Sequence, residues 1–270
     1  MSPLILTAII VASVLSVLVF LLLFIIAPGR RNMSAYKNVY YAHRGLHDGE
    51  KPENSLAAFR AAVEAGFGIE LDVRLSSDGV LMVFHDDTLE RMVGIKSKVA
   101  DLTASELSAL RLLDSNEGIP TFDEVLDAVG GRVPLLVEIK EDQGDHAVSD
   151  ATAKRLSSYE GGFIVESFNP LSVRNARKKL PKTPCGFLSC KHKVRTVIYL
   201  MLTNLMFNFL CRPDFIAYCH TDSSNIFLRL VRAIFRVPTV AWTVCSEVEE
   251  RAARAKGFCG IIFEGYVPEG

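Results

Sequence analysis

The sequence predicts an α/β protein: a (β/α)8 barrel preceded by one N-terminal transmembrane helix. Three observations lead there. Short runs rich in β-branched and aromatic residues alternate with helical patterns, which implies a parallel sheet. Nine such runs are present, but two are joined only by Ser76-Ser77-Asp78-Gly79. A parallel crossover needs a dozen or more residues, so that pair forms an antiparallel hairpin and eight strands remain for a closed ring. Beyond an apolar N-terminal stretch about 240 residues are left, a usual size for such a barrel.

In chain order, residues 4–27 come first, and no charged side chain precedes Arg30. As a helix rising about 1.5 Å per residue they span about 36 Å, against about 30 Å for a hydrocarbon core. The start Met1-Ser2-Pro3 carries no Lys or Arg, and the run ends in Pro28-Gly29-Arg30-Arg31 rather than in a small-residue cleavage site. Residues 1–32 therefore read as a retained anchor and residues 33–270 as the barrel domain. Arg30, Arg31 and Lys37 follow the span and nothing basic precedes it, which by the positive-inside rule places the domain in the cytoplasm, at the cell membrane.

Strands are expected at 39–44, 69–75, 80–86, 135–140, 163–168, 185–189, 214–219, 239–244 and 260–265. Helical patterns at 55–66, 121–131 and 246–257 lie between them; the last has Ser246 as N-cap, an acidic first turn and Gly257 at its end. An open doubly wound sheet would need a glycine-rich phosphate turn after the first strand, and neither G-x-G-x-x-G nor a Walker-type loop occurs. Residues 193–212 are an apolar stretch between basic ends, and 225–236 place Ile226, Phe227, Leu230, Val231, Ile234 and Phe235 on one helical side with Arg229, Arg232 and Arg236 on the other. They fit crossover helices packed on the barrel, or an interfacial pair with Phe227 and Phe235 toward lipid and the arginines toward phosphates. Asn204 and Asn208 argue against a second span.

With 30 basic and 31 acidic residues the net charge is -1, which excludes nucleic-acid binding through bulk charge. Six cysteines, Cys185, Cys190, Cys211, Cys219, Cys245 and Cys259, have neither C-x-x-C nor metal-finger spacing and read as buried free thiols of a reducing compartment.

The chemistry sits at strand ends. Glu70 and Asp72 are two apart and face one side of their strand, as do Glu138 and Lys140 on theirs. His43-Arg44 ends the first strand and His85-Asp86 the hairpin strand. In a barrel, three carboxylates then converge at one mouth, a costly cluster that a bound cation relieves. All-oxygen ligation favours Ca2+ or Mg2+ over zinc.

The run AHRGLHDGEKPENSLAAFRAAVEAGFGIELDVRLSSDGVLMVFHDDTLERMVG (42–94), with VEIK (137–140), ESFNP (166–170) and AWTV (241–244), resembles the glycerophosphodiester phosphodiesterase family over residues 39 to 268. The likeness lies in the ordered set H-R-G, P-E-N with A-F, E-x-D-V, D-G and H-D. It implies a phosphodiesterase barrel that hydrolyses glycerophosphodiesters to glycerol 3-phosphate and an alcohol. The membrane span before YAHRGLHD resembles an anchored bacterial subgroup. The resemblance further implies His43 and His85 as the general acid–base pair, and Glu70, Asp72 and Glu138 as ligands of the divalent metal. Arg44 and Lys140 would contact the phosphate, Phe168 and Trp242 would shape the pocket, and Glu53 and Asn54 would position the rim near His43. In the family the substrate's own glycerol hydroxyl can attack first, giving a cyclic phosphate that water opens. Two departures stand out: FEGYVP carries Glu264 where T-D-x-P has Asp, and Ser55 follows P-E-N in place of Thr. The alternatives are a lysophospholipase D-type or phospholipid-cleaving enzyme acting on lysolipids, and an inactive membrane-anchored binding or scaffold barrel.

Overall fold

The computed structural model describes residues 1–141, 145–192 and 196–269. Nine strands form one sheet: β1 (Tyr40–Ala42), β2 (Gly68–Leu75), β3 (Leu81–Val83), β4 (Leu135–Ile139), β5 (Phe163–Ser167), β6 (Cys185–Ser189), β7 (Phe215–Cys219), β8 (Thr239–Val244) and β9 (Gly260–Phe263). Its order is β1-β9-β8-β7-β6-β5-β4-β2-β3, and a further parallel pairing of β1 with β2 closes eight strands into a barrel. The ninth, β3, lies antiparallel on β2. In its turn Gly79 adopts φ 81°, open to glycine, and the Val80 amide donates to Ser76 Oγ at 2.9 Å. The expected (β/α)8 architecture is the observed one.

The helices are α1 (Pro3–Ile26), α2 (Leu56–Glu64), α3 (Glu90–Val93), α4 (Ala104–Ala109), α5 (Phe122–Val129), α6 (Ala147–Leu156), α7 (Pro170–Lys179), α8 (Val197–Thr203), α9 (Asn208–Cys211), α10 (Ile226–Phe235) and α11 (Glu247–Ala255). Ser55 caps α2 by accepting the Ala58 amide at 3.1 Å, which turns Ala58, Phe59, Ala62 and Val63 onto the barrel wall. Thr121 and Glu124 form a capping box on α5, and Gly130 ends it at φ 57°.

Apolar side chains fill both sides of the sheet. Inside the ring Tyr41, Leu136, Ile164, Leu188, Phe215, Ala217, Val240 and Ile262 pack together with Met33. Gly186 is required here, since a Cβ would lie 2.2 Å from the Phe215 ring. The excursion between β3 and α5 holds a small core of its own around Met82, Phe84, Leu89 and Met92. That core fixes the segment bearing His85.

Helix α1 is the one helix among the described residues long and apolar enough to cross a membrane. Most of it projects free, but its last turn docks on the barrel. Ile26 is fully buried, Asn208 Nδ2 donates to Ile26 O at 2.8 Å, and Arg212 donates to Phe24 O and Ala27 O at 3.1 and 3.0 Å. Arg31 then donates to Leu180 O, Thr183 O and Arg177 O at 2.9, 2.5 and 2.7 Å, while its backbone amide reaches Asp214. A residue read as a membrane-flanking charge is thus also a fixed strut of the domain.

Of the two readings of residues 193–212 and 225–236, helices crossing between strands are the observed one; the lipid-facing phenylalanines and the buried thiols need correction. Of the stretch 193–212, residues 193–195 lie outside the described residues, and the rest forms the short helices α8 and α9. On α10, Leu228 and Val231 are buried and Phe227, Leu230 and Phe235 pack against the core, so the outward apolar residues are Ile226 and Ile234. A ten-residue helix over a convex barrel turns its broad apolar side inward, because burial there removes more area from water. All six cysteines are unpaired, but only Cys185 and Cys211 are buried; Cys245, just past the end of β8, is exposed.

Candidate active site

The site is built from the turn after β1 and the upper ends of β2 and β4. Arg44 and Gly45 take φ 55° and 85°, a left-handed pair that bends the chain back across the mouth. Gly45 has no substitute there, because a Cβ would lie 2.9 Å from the backbone of Ala58. The bend aims the Arg44 amide at Glu70 Oε2, 3.0 Å away. Asn54, also left-handed at φ 56°, donates from Nδ2 to Asp72 Oδ2 at 2.9 Å. Non-glycine residues held in this conformation at a mouth are a mark of functional backbone strain.

Strand register does the rest. Asp72 lies beside Glu138 across β2 and β4, and Glu138 beside Glu166 across β4 and β5. Glu70, Asp72 and Glu138 are buried and offer carboxylate oxygens within 4.8 Å of one another. Lys140 Nζ lies 2.7 Å from Glu138 and 3.1 Å from Asp72, and Arg44 Nε is 3.5 Å from Asp72. Burial opposes ionisation of Asp72, but Lys140, His85 and Arg44 outweigh it and hold this carboxyl below its usual range. At Glu138 burial prevails over Lys140 and pushes the group up to about 7, while burial and its acidic neighbours raise Glu70 well above the ordinary value. Two cations among three carboxylates leave one negative charge in excess when all three acids are ionised. The donor set is all oxygen and buried, and Lys140 lies 3.1 Å from Asp72 Oδ1 as a cation already drawn to it. These residues fit a hard divalent cation.

Each histidine of the expected pair is held at Nδ1 by a carboxylate. His43 Nδ1 lies 2.5 Å from Glu264 Oε2, and His85 Nδ1 lies 2.6 Å from Asp86 Oδ1. Such a partner selects the tautomer and leaves Nε2 for chemistry. His43 Nε2 is 3.9 Å from Glu70 Oε2, next to the carboxylate cluster. The hydrogen bond from His43 holds Glu264 down at about 2. At Asp86 burial works against ionisation, yet Arg91 and His85 outweigh it and hold it at about 2 as well. Burial lowers His85 below the ordinary histidine value, with Asp72 opposing the shift.

A cavity of about 100 Å³ joins these groups, lined by His43, Arg44, Glu70, His85, Glu138 and Lys140 on its polar side and by Phe168, Leu188 and Trp242 on its apolar side. Phe168 stands edge-on to Trp242, ring centroids 5.4 Å apart. Glu53 and Asn54 are not in this lining but brace it from behind. Glu53 accepts from Arg44 at 2.7 Å and from both Arg91 terminal nitrogens at 2.8 and 2.7 Å, while Arg91 Nε donates to Asp86 at 2.7 Å. One chain of ion pairs therefore runs from Arg44 through Glu53, Arg91 and Asp86 to His85.

Four residues of this arrangement received no such role from the sequence: Asp86, Arg91, Glu166 and Glu264. Glu264 was read there only as a departure from the Asp of T-D-x-P. Glu166 carried a signal of the same kind as Glu70, an acid in the middle of an apolar strand. Asp86 stands beside its partner His85 in the H-D pair, whereas Arg91 reaches Glu53 over 38 positions and Glu264 reaches His43 over 221, pairings that no local pattern announces.

Residues 43–264 match the model of the Glycerophosphoryl diester phosphodiesterase family. The chain is similar to a glycerophosphodiester phosphodiesterase of Caldanaerobacter subterraneus subsp. tengcongensis, 31% identical over 209 residues that cover 71% of this chain and 84% of that one. Among solved structures it is similar to a glycerophosphodiester phosphodiesterase of Thermotoga maritima, with TM-score 0.67, 28% identity and coverage of 83% and 93%. It shares the fold of an Oleispira antarctica phosphodiesterase in complex with the product sn-glycerol-3-phosphate, with TM-score 0.72, 21% identity and coverage of 85% and 94%.

Proposed function

Since this chain belongs to the glycerophosphoryl diester phosphodiesterase family, and is therefore a phosphoric diester hydrolase, we propose how its site works. The substrate is a glycerophosphodiester, split into sn-glycerol 3-phosphate and an alcohol. His43 and His85 are the acid–base pair, one taking the proton of the attacking hydroxyl and the other returning one to the departing alcohol. Supporting this reading is a single juxtaposition: two histidines, each with Nδ1 occupied by a carboxylate, line one small cavity with Glu70 and Glu138 of the buried oxygen cluster.

Glu70, Asp72 and Glu138 are the residues to hold the divalent cation, Ca2+ or Mg2+, which when bound supplies fixed positive charge for the phosphoryl oxygens. Arg44 and Lys140 add their own charge on the same side, Arg44 kept in place by Glu53 and Asp72 kept in place by Asn54. Phe168 and Trp242 close the opposite wall. The full chain should release sn-glycerol 3-phosphate from glycerophosphodiesters in an enzyme-coupled assay. Absence of release from any diester, with either cation, would return the barrel to a binding role.

A second substrate reading has its own observation. A groove of about 680 Å³ lined by Phe168, Leu171, Ile198, Leu202, Phe207 and Leu210 shares Glu138 and Lys140 with the catalytic cavity. An acyl chain suits such a lining, so lysolipids are the alternative substrates. Faster release from a lysolipid than from its deacylated diester decides for them.

We read α1 as a retained anchor with the barrel on the cytoplasmic side, a reading supported by the docked last turn and by the basic residues behind it. Residues 1–32 then form the anchor and 33–270 the catalytic domain. Val197 and Ile198 on α8, 73% and 62% exposed, are apolar points suited to an adjoining leaflet. Cys245, exposed near the mouth, reports on the topology. In intact cells a membrane-impermeant maleimide should leave it unlabelled, and labelling before lysis would reverse the orientation.

A further inference from the structure

Among the described residues, Glu166 is an acid of the barrel mouth without a task in this reading. It lies beside Glu138 in the β4–β5 register and lines the catalytic cavity, yet it stands outside the group of three carboxylates. It is 1% exposed, and neither carboxylate oxygen has a hydrogen-bond partner among the described residues. A buried carboxyl left unpaired costs folding free energy, so such a group in a cavity wall marks a contact that a ligand completes.

The neighbours say which ligand group. The cations of the mouth are engaged elsewhere: Lys140 with Asp72 and Glu138, Arg44 with Glu53 and Asp72. On the other side the cavity offers Phe168, Leu188, Ile262 and Trp242, and the Trp242 indole Nε1 is likewise buried without a partner. An acid beside aromatic and aliphatic walls repels a phosphate but suits a neutral polyol. Hydroxyls meet the carboxyl and the indole N–H, and CH and CH2 groups meet the rings. A phosphodiester ester-linked to glycerol has that division, its anionic part belonging on the Arg44 and Lys140 side.

We propose that Glu166, together with Trp242 in the lining of the same cavity, is the subsite that recognises the free glycerol hydroxyls of the substrate and of the product. The inference rests on the functional reading above and adds the residue that distinguishes a glycerol ester from other phosphate esters. Glu166 is a specificity residue and takes no part in moving the reaction's protons.

Calorimetric titration of the full chain at saturating Mg2+ or Ca2+ tests it with two ligands, sn-glycerol 3-phosphate and ethyl phosphate, which lacks the hydroxyls. Glu166→Leu should weaken glycerol 3-phosphate by roughly threefold to tenfold, the usual worth of one hydrogen bond. It should leave ethyl phosphate and cation affinity unchanged. Glu166→Gln, which keeps a hydroxyl acceptor and the side-chain shape, should recover most of the loss. Glu166→Met replaces the leucine variant where branching prevents folding. Equal weakening of both ligands, or no weakening, overturns the subsite. A fall in cation affinity overturns it too, making Glu166 a fourth metal ligand. If the unmutated chain binds neither phosphate ester, the functional reading fails instead.

Discussion

His43→Ala and His85→Ala should each lower kcat by about 10² to 10⁴, the range of a general acid or base, while the thermal melt stays within a few degrees of the parent. Both rings lie at the mouth, with side chains 17% and 32% exposed, so little packing is lost. Steady-state rates on one glycerophosphodiester, with circular dichroism of each variant, measure both parts. His146 and His192 to Ala serve as controls and should leave kcat unchanged. His47 is the instructive neighbour, since its Nε2 lies 3.8 Å from the Glu264 carboxylate that also holds His43. Glu264→Gln keeps the shape but removes the charge at His43 Nδ1. It should cost on the order of 10–100-fold in kcat, as orienting partners of this kind do. A His85→Ala enzyme with normal turnover would falsify the pairing.

Removal of divalent cations with EDTA should abolish hydrolysis, and added Ca2+ or Mg2+ should restore it. Glu70→Gln or Glu138→Gln should weaken cation binding in titrations of the apoprotein. The pH dependence has a definite sign. In the cation-free state burial raises Glu138 from an ordinary 4.5 to about 7, so between those values the folded protein holds a proton that the unfolded chain has released. Stability contributed by this group is present below about pH 4.5 and is lost as pH rises through about 7. The apoprotein should therefore melt lower at pH 8 than at pH 5. The gain in melting temperature on adding cation should be larger at pH 8, where no proton competes. In Glu138→Gln the part of the pH dependence that this group contributes to the cation-free melt should vanish, while the part from Glu70 and Glu166, raised in the same direction, remains. Full activity after EDTA treatment would sink the metal assignment.

The architecture and the grouping of the acids are legible in the chain because both follow from short-range periodicities, while the roles expected of His43, His85, Arg44, Glu53, Asn54, Phe168 and Trp242 came from the family resemblance. A two-residue period puts Glu70 with Asp72 on one face of β2, and the five-residue link between β2 and β3 permits nothing but a hairpin. Capping residues Ser55, Thr121 and Ser246 place helix starts from a few neighbours alone. Only the closed barrel decided which distant groups meet. Glu264 reaches His43 across 221 positions of sequence because β9 lies beside β1 when the ring closes, and Arg91 joins Glu53 to Asp86 from an excursion with its own small core. Arg31 and Arg212 look like membrane-flanking charges in the chain, yet both serve backbone carbonyls where α1 docks. Phe227 and Phe235 look like one side of an interfacial helix and turn to the barrel, since apolar area buried there is worth more than area left at the surface. Local chemistry states which residue types lie on which face of an element. What that face meets is set by the packing of elements far apart in the chain, where a buried charge must find its partner or leave a place for a ligand.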